Sequence, residues 1–429
     1  MTLKSPDAGS SEQILIHGGR PLRGDVCVSG AKNSALKLIA ASLLTDEEVT
    51  LRNVPRISDV DIMLQLAQEL GVAVEWSADG TLRLNACCLR DFQASYGLVS
   101  RMRASVVVIG PLVARLGRAR VAMPGGCQIG SRKIDLHIHG LEQLGAEISV
   151  AEGCIEAKAP RLRGARIKLA FPSVGATENL LMAASLAQGQ TVIENVAREP
   201  EIVDLAAFLV RMGAKIRGAG TSNLIIDGVS SLHGCDYSVI PDRIEAGTLM
   251  MAVAASGGDV LIKKARATDL ELVIEKLSQI GVDIQLEADG VRISRSGDLS
   301  SVRLATLPYP GFPTDLQAPA MAVLSGANGA SVLTENVFES RFAYVEELRK
   351  LGSDVQVSGH HAVIEGPVAL RGATVTATDL RAGAGLTVAA LAAEGTTHIR
   401  GVHHIYRGYE SFVSKLRGIG AAIEAAPPT

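Results

Sequence analysis

Leu70-Gly71-Val72-Ala73-Val74-Glu75 is the stretch that decides the fold. It predicts the end of an amphipathic helix, a glycine in the left-handed conformation that commonly follows a last helical turn, and a short strand with alternating side chains. This pattern, an amphipathic helix ending in an apolar residue and glycine and followed by a short strand, occurs six times, with successive glycines 68 to 74 residues apart. The six pairs are Leu70-Gly71, Leu144-Gly145, Met212-Gly213, Ile280-Gly281, Leu351-Gly352 and Ile419-Gly420. We therefore predict an α/β protein with a six-fold internal repeat.

A second pattern lies between these pairs: a helix rich in alanine, a tight turn and a β-branched strand. One example is the run 183–186 followed by the strand 191–194, and another is 389–393 followed by 397–400. Small side chains let helices approach closely, so we expect these helices inside and the amphipathic helices outside. The chain then divides into two domains of three α/β units each.

The composition restricts the class of protein. A chain of 429 residues exceeds what one hydrophobic core usually serves, and a net charge of −3 argues against a general nucleic-acid or membrane-surface binder. No apolar run is long enough to span a membrane and no signal peptide is recognisable, so we expect a cytoplasmic protein. The six cysteines are too sparse for a disulfide framework, and none has the spacing of a zinc site.

A glycine-rich stretch at 124–133 carries one thiol, Cys127, beside the cations Arg132 and Lys133. We expect a loop that opens and closes, followed by a helix with Ser131 as its cap. Positive side chains and a helix N-terminus both favour the thiolate, which is the reactive form of cysteine. The alternative is an inert thiol in a loop, and the local sequence leaves both open.

The predicted inner helices begin with cations in four units: Lys32, Arg103, Arg243 and Arg381. A cation at a helix N-terminus is unfavourable by about 0.3 to 1 kcal/mol. Four such positions in equivalent units suggest an anionic ligand in front of them. The alternative is that each cation pairs with a nearby carboxylate.

Further candidates each have a structural alternative. Asp315 at a helix start is by default a cap, and acts in catalysis only if a substrate hydroxyl lies within reach. The stretch 173–177 either cradles a phosphate or is a capped helix start. Arg407 is either a ligand or a solvated cation. His403 and His404 are expected to point apart on a strand, which argues against a metal site.

Seven motifs together make the chain resemble the UDP-N-acetylglucosamine enolpyruvyl transferase family, within the EPSP synthase superfamily, from about Ile14 to about Ala425. The motifs are Ser29-Gly30-Ala31-Lys32-Asn33, Met102-Arg103-Ala104-Ser105, Pro124-Gly125-Gly126-Cys127, Pro172-Ser173-Val174-Gly175-Ala176-Thr177, Pro241-Asp242-Arg243-Ile244-Glu245, Phe312-Pro313-Thr314-Asp315 and Arg407-Gly408-Tyr409-Glu410.

The resemblance implies a fold of two inside-out α/β barrels, each of three repeated units, with the active site in the interdomain cleft. One domain is discontinuous, 1–31 plus 241–429, and carries Asp315, Arg381 and Arg407. The other, 32–240, carries the loop with Cys127.

The resemblance also implies the reaction. Enzymes of this family transfer the enolpyruvyl group of phosphoenolpyruvate to the 3′-hydroxyl of UDP-N-acetylglucosamine and release phosphate, at the first committed step of peptidoglycan synthesis, on which cell shape and division depend. It implies no metal and no organic cofactor, no nucleic-acid partner, and a monomer or weak oligomer. The epoxide fosfomycin is expected to alkylate Cys127.

The family's functional residues map onto matching positions of this chain. Catalysis is implied for Cys127 as general acid, Asp315 as acceptor of the hydroxyl proton, and Lys32. The residues implied to bind phosphoenolpyruvate are Lys32, Arg103, Arg132, Arg381 and Arg407. Those implied to bind the UDP-sugar are Asn33, Arg103, Arg132, Ser173, Val174, Gly175, Asp315 and Val337.

Two positions depart from the family pattern: Tyr406 replaces a common aspartate, and Lys133 replaces a common proline on the expected uridine side.

Two other functions remain in competition. One is a 3-phosphoshikimate 1-carboxyvinyltransferase of the same fold, against which Cys127 and the stretch 173–177 argue. The other is a catalytically silent paralogue that binds a UDP-sugar, against which the intact catalytic set argues.

Overall fold

A computed structural model gives the fold of the chain. It describes residues 12–89, 91–94, 96–99, 102–123 and 134–427, without the side chains of Tyr96 and Arg103. The glycine-rich stretch with Cys127 and Arg132 lies outside the described residues.

Short strands and helices alternate along the whole described chain. The strands are β1 (Gln13–His17), β2 (Leu22–Cys27), β3 (Glu48–Arg52), β4 (Ala73–Trp76), β5 (Leu82–Asn85), β6 (Gln93–Ala94), β7 (Arg118–Ala122), β8 (Glu147–Ala151), β9 (Cys154–Lys158), β10 (Arg166–Lys168), β11 (Gln190–Glu194), β12 (Lys215–Arg217), β13 (Asn223–Asp227), β14 (Asp236–Ser238), β15 (Gly258–Lys263), β16 (Asp283–Glu287), β17 (Gly290–Arg295), β18 (Leu299–Ser300), β19 (Arg303–Ala305), β20 (Ala327–Thr334), β21 (Asp354–Ser358), β22 (His361–Gly366), β23 (Thr374–Thr376), β24 (Thr396–Arg400) and β25 (Ala422–Ala426).

The α-helices are α1 (Lys32–Ala41), α2 (Ser58–Glu69), α3 (Tyr96–Val99), α4 (Ile109–Leu116), α5 (Asp135–Gln143), α6 (Val174–Ser185), α7 (Pro200–Arg211), α8 (Arg243–Ser256), α9 (Glu271–Gln279), α10 (Gln317–Leu324), α11 (Val345–Lys350), α12 (Leu380–Ala392), α13 (His403–Tyr406) and α14 (Phe412–Gly418). Short 3₁₀ helices cover Ser42–Leu44, Arg103–Val108, Ala267–Asp269 and Thr314–Leu316.

The chain forms two compact units, each with its own hydrophobic core. The described residues 12–28 and 242–427 form the first, which we call the terminal unit because it combines the first and last parts of the described chain. The described residues between 29 and 241 form the second, the central unit.

The sheets of the central unit share one pairing pattern. In strand order they are β14-β3-β5-β4, β6-β7-β9-β8 and β10-β11-β13-β12. In each order, the first strand is an edge strand that pairs in parallel with the second strand. The remaining pairs are antiparallel. A parallel pair needs a crossover connection, and helices of the unit supply it.

The described sheets of the terminal unit repeat this pattern. Their orders are β23-β24-β1-β25, β16-β17-β15-β2 and β18-β20-β22-β21, with β19 also pairing with β20. Because β1 and β2 come from the beginning of the chain and their partners from its second half, this unit needs both ends of the sequence.

The six glycines that follow the amphipathic helices all have a positive φ. The φ angles of Gly71, Gly145, Gly213, Gly281, Gly352 and Gly420 lie between 90° and 103°. This confirms the predicted left-handed conformation, which side chains with a Cβ adopt only at a cost.

Helices rich in small residues are buried along their length, as predicted. In the terminal unit α8, α10 and α12 pack against one another. A Cβ built on Gly385 of α12 would lie 2.8 Å from the Cβ of Ala318 on α10, so this contact requires a residue without a side chain. The close packing fixes where the N-termini of the inner helices lie within the unit.

Candidate functional site

The predicted site residues are divided between the two units. Asp315, Val337, Arg381 and Arg407 belong to the terminal unit. Lys32, Asn33, Arg103, Ser173, Val174 and Gly175 belong to the central unit. The side chain of Arg103, and the whole of Cys127 and Arg132, lie outside the described residues.

Asp315 lies between two arginines. Its Oδ1 accepts a hydrogen bond from Nη2 of Arg341 at 2.8 Å, and its Oδ2 accepts one from Nη2 of Arg381 at 2.9 Å. The default expectation of a helix cap is wrong, because the cap positions of its 3₁₀ helix and of α10 are Pro313 and Leu316. The carboxylate is therefore fixed by side chains from distant parts of the sequence rather than by its own helix.

Arg381 is fixed at both ends of its guanidinium. Its backbone is held at the start of α12, where Oδ1 of the cap residue Asp379 accepts a hydrogen bond from the N–H of Arg381 at 2.8 Å. Its Nη1 donates to the hydroxyl of Tyr409 at 3.1 Å. Burial alone would lower the pKa of Arg381, but Asp315, Tyr409 and Asp242 together outweigh burial and hold the pKa above its ordinary value. Arg381 therefore presents a permanent charge in a residue that is 5% exposed.

Sequence reasoning missed Arg341. This arginine is 4% exposed, its guanidinium lies 5.4 Å from the ring of Phe338, and it forms an ion pair with Asp315 at 2.8 Å. It precedes an amphipathic helix, α11, where a cation is ordinary, so the local sequence carries no signal that this arginine is buried. Only the packing of its segment beside Asp315 reveals it.

Val337 is linked to the neighbourhood of Asp315 by a buried glutamate. Oε1 of Glu335 accepts from the backbone N–H groups of Val337 at 2.8 Å and Phe338 at 3.0 Å. Its Oε2 accepts from the hydroxyl of Thr314, the residue before Asp315, at 2.9 Å. Glu335 thus fixes the segment of Val337 relative to the segment of Asp315, two residues predicted to bind the UDP-sugar. Its sequence context did not reveal this role.

Arg407 follows a short helix, α13, that the sequence did not predict. His403 and His404 were expected to point apart on a strand, and this is wrong: they lie on α13 with ring centroids 4.1 Å apart. Burial lowers the pKa of His404, and the charges of His403 and Arg407 lower it further.

Tyr406 is the residue that replaces a common aspartate of the family. Burial and the carboxylate of Glu12 raise the pKa of Tyr406 to about 12. Its side chain is therefore a neutral hydroxyl that donates a hydrogen bond to Glu12.

In the central unit, Lys32 is the first residue of α1 and forms an ion pair with Asp59 of α2 at 2.8 Å. Both side chains are almost fully buried. The cations at these helix starts were expected either to face an anionic ligand or to pair with a carboxylate. Lys32 pairs with the carboxylate of Asp59, and Arg381 pairs with that of Asp315. The guanidinium of Arg243 lies 5.6 Å from the ring centroid of Tyr309.

The beginning of α6 is a capped helix start. Oγ of Ser173 accepts from the backbone N–H of Ala176 at 3.3 Å. Behind it lies His137 of α5, because a Cβ built on Gly175 would lie 3.3 Å from the imidazole. The ring is fixed by Asn179 of α6, whose Nδ2 lies 3.0 Å from its Nδ1. The helix α5 begins at Asp135 with Ile134 at the cap position, and the expected cap, Ser131, lies outside the described residues.

A buried ion pair joins α1 to α6. Nζ of Lys37 lies 3.3 Å from Oε2 of Glu178 and donates to the carbonyl of Asn33 at 3.0 Å. Glu178 is fully buried, and burial raises its pKa to about 7 against the opposing charge of Lys37.

Neither a metal centre nor a membrane span is found where the structure describes the chain. Within the described ranges, no group of three or more His, Cys, Asp or Glu side chains is arranged to hold a metal ion. No described helix has both the length and the apolar character needed to cross a bilayer.

Comparisons with known proteins agree with these features. The sequence model of the family described as EPSP synthase (3-phosphoshikimate 1-carboxyvinyltransferase) matches residues 16–416. A protein of Caldanaerobacter subterraneus subsp. tengcongensis, named UDP-N-acetylglucosamine 1-carboxyvinyltransferase 1, is 50% identical over 411 residues, which cover 96% of this chain and 99% of that protein. The chain belongs to the UDP-N-acetylglucosamine 1-carboxyvinyltransferase family. A second member of the family, from Gluconacetobacter diazotrophicus, is 52% identical over 415 residues, covering 96% and 99% of the two chains.

Solved structures give the fold of the wider group to which the UDP-N-acetylglucosamine 1-carboxyvinyltransferases belong. The enolpyruvyl transferase NikO from Streptomyces tendae superposes with a TM-score of 0.88 at 26% identity, covering 97% of this chain and 99% of NikO. An EPSP synthase from Acinetobacter baumannii superposes with a TM-score of 0.76 at 18% identity, covering 97% and 100% of the two chains. The chain is thus a mixed α/β protein with the enolpyruvyl transferase fold.

Proposed function

We propose that this chain transfers the enolpyruvyl group of phosphoenolpyruvate to the 3′-hydroxyl of UDP-N-acetylglucosamine and releases phosphate. The observation that carries the proposal is the 50 to 52% identity, over 96% of the chain, to proteins named for this transfer. The product is a precursor of peptidoglycan, and we place the reaction in the cytoplasm at the first committed step of cell-wall synthesis.

The donor carries a phosphate and a carboxylate, and we assign its binding to cations. These are Lys32, Arg103, Arg132, Arg381 and Arg407. The planar guanidinium group suits both anionic groups because it can donate two parallel hydrogen bonds. The ion pair of Lys32 with Asp59 supports its part, since a fixed ammonium loses less freedom when it binds an anion.

The acceptor sugar is assigned to a second set of residues. These are Asn33, Arg103, Arg132, Ser173, Val174, Gly175, Asp315 and Val337. Support comes from the hydrogen bonds of Glu335, which fix Val337 and Thr314 beside Asp315. The N-terminus of α6 offers backbone N–H groups to an anionic nucleotide.

The reaction is an addition followed by an elimination. Cys127, as general acid, protonates C3 of phosphoenolpyruvate, and C2 becomes electrophilic. The 3′-oxygen of the sugar then bonds to C2 while Asp315 takes the hydroxyl proton, which gives a tetrahedral ketal. In the second step the Cys127 thiolate left by the first step takes a proton from C3, and the bond from C2 to the phosphate oxygen breaks, so that phosphate leaves with the electron pair. Cys127 can also form a covalent adduct at C2.

For the organisation of the chain, we propose two inside-out α/β barrels of three repeated units each. Their boundaries are those predicted from the sequence, 1–31 plus 241–429 and 32–240. The shared pairing pattern of the sheets supports the repeat. A monomer or weak oligomer remains our expectation for the assembly.

Phosphate release tests the proposed reaction. We expect release only when phosphoenolpyruvate and UDP-N-acetylglucosamine are both present, with the enolpyruvyl ether detected by mass spectrometry. Release with shikimate 3-phosphate in place of the UDP-sugar would instead identify the other carboxyvinyltransferase. Binding of the UDP-sugar without release would identify a silent paralogue.

A further inference from the structure

We propose that Lys37 and Glu178 are positioning residues for the acceptor sugar: their buried ion pair holds the first turn of α1, with Asn33, against the first turn of α6, with Ser173, Val174 and Gly175. The inference rests on the proposed function and adds two residues to it.

The position of the pair is set by the two helix starts. Lys37 lies one turn after Asn33, and its Nζ donates to the Asn33 carbonyl at 3.0 Å. Glu178 lies one turn after Val174, and its Oε2 is 3.3 Å from the same Nζ. One ammonium therefore contacts both the first turn of α1 and the carboxylate that follows the first turn of α6.

Burial makes this contact specific. Lys37 is 7% exposed and Glu178 is 0% exposed. A buried charge without a counter-charge is strongly unfavourable. Any arrangement of α1 and α6 that the unit adopts must therefore keep the two side chains in contact. An exposed pair would let the helix starts separate at little cost, because water would solvate both charges.

Other acidic side chains surround the pair. Glu199 and Glu201 are buried at the start of α7, which packs against both α1 and α6, and their charges act against that of Glu178. Further along α7, Oδ2 of Asp204 accepts a hydrogen bond from the hydroxyl of Ser34 in α1. Lys37 therefore places a positive charge beside Glu178 in a largely acidic region between three helices.

A different ion pair holds Lys32, which we assign to the donor phosphoenolpyruvate. Lys32 also lies in the first turn of α1, but its ammonium is fixed independently by Asp59 of α2 at 2.8 Å. Loss of the Lys37–Glu178 pair should consequently disturb the start of α6 more than Lys32. The expected signature is a change in the affinity for the sugar and not for phosphoenolpyruvate.

Kinetics of Lys37→Met and Glu178→Gln test the proposal at a pH above 7, where the Glu178 carboxylate is ionised. Calorimetric binding of UDP-N-acetylglucosamine is a measurement that does not depend on turnover. We expect Lys37→Met to raise the KM and the Kd for the UDP-sugar about tenfold, because small displacements of positioning groups weaken binding, with the KM for phosphoenolpyruvate changed less than about twofold. Glu178→Gln keeps the size of the side chain and should shift the same constants in the same direction. It also serves as the test if Lys37→Met does not fold.

The double variant Lys37→Met with Glu178→Met separates positioning from stability. Removing both charges should restore the melting temperature, since no buried charge is left unpaired, while the KM for the UDP-sugar stays high. The matched control is Lys158→Met, which breaks an exposed pair with Glu156 at the same 3.3 Å in the same unit and should change neither constant.

Recovery of the KM together with the melting temperature in the double variant would overturn the inference, as would an equal rise in the KM for phosphoenolpyruvate. A wild-type chain that neither binds nor uses the UDP-sugar would overturn the proposed function and the inference with it. Normal wild-type turnover with unchanged variants would overturn the inference alone.

Discussion

Arg381 and Asp315 lie 66 positions apart in the sequence, and Nη2 of the arginine donates to Oδ2 of the aspartate at 2.9 Å. The aspartate comes from the 3₁₀ helix before α10 and the arginine from the first turn of α12. Because Arg341 occupies the other carboxylate oxygen at 2.8 Å, the orientation of Asp315 is fixed from both sides. A proton acceptor held in this way loses little freedom when a substrate hydroxyl arrives.

Asp315→Asn should lower kcat by a factor of about 10² to 10⁴, the usual contribution of a positioned proton acceptor. The amide keeps the size of the side chain but cannot take the hydroxyl proton. Steady-state phosphate release measures the effect. Asp259→Asn is the control, because Asp259 forms an exposed pair with Arg292 at 3.4 Å. If Asp315→Asn retained a third of the wild-type kcat, Asp315 would not be the acceptor of the proton.

Arg341→Met should lower the free energy of unfolding by about 2 kcal/mol, the typical value of a hydrogen bond to a charged group, and should also lower kcat. Asp315 would keep its bond to Arg381 but could rotate. Urea unfolding and kinetics measure the two effects, with Arg292→Met as the exposed control. In a double-mutant cycle with Asp315→Asn, the two substitutions should be clearly non-additive. Additive effects would mean that the contact between Arg341 and Asp315 does not act in the folded enzyme.

The stability of the wild-type chain should depend on pH through Glu178. Its pKa is raised from 4.5 to about 7, first by burial and against the charge of Lys37. Between these two values the folded chain binds the proton that the unfolded chain has lost, so the free energy of unfolding falls as the pH rises from about 4.5 to about 7.

Glu178→Gln should remove this part of the pH dependence. The gap in unfolding free energy between wild type and variant should change by an amount on the order of a few kcal/mol across this pH range. Urea unfolding at several pH values measures it. Glu75→Gln, in an exposed pair with Arg83 at 3.4 Å, supplies the control. A gap that is independent of pH would contradict the assignment of the titration to Glu178.

Fosfomycin should add once to the chain, at Cys127. The thiolate opens the epoxide by attack on carbon, and the neighbouring cations favour the thiolate. Among the other cysteines, burial raises the pKa of Cys235 to about 11, and the hydrogen bond with Cys88 raises the pKa of Cys87. Intact-mass measurement followed by peptide mapping locates the adduct, and Cys127→Ser should abolish it. An adduct on Cys87 or Cys88 would contradict this prediction.

The candidate site was predictable only in part. The sequence motifs identified Asp315, Arg381 and Lys32, because a charged residue at a helix start is a local signal. The partners Arg341 and Glu335 lie in a connection between β20 and α11, where charged side chains are ordinarily solvated. Asp59 lies in the first turn of α2, where a carboxylate is common and does not by itself indicate a buried ion pair. The roles of the predicted residues in the reaction remain predictions until the experiments above are done.

The sequence by itself determined what depends on a few consecutive residues. Glycine after an apolar helix end sets a left-handed backbone because only glycine lacks the Cβ that opposes it, and alanine-rich runs set which helices can pack closely inside. The tertiary structure alone decided which charges meet. The pairs Asp315 with Arg341, Lys32 with Asp59 and Lys37 with Glu178 join separate elements, and the ring contact of His403 with His404 needed a helix that no pattern predicted. Such contacts depend on how whole elements pack, and no local periodicity records that.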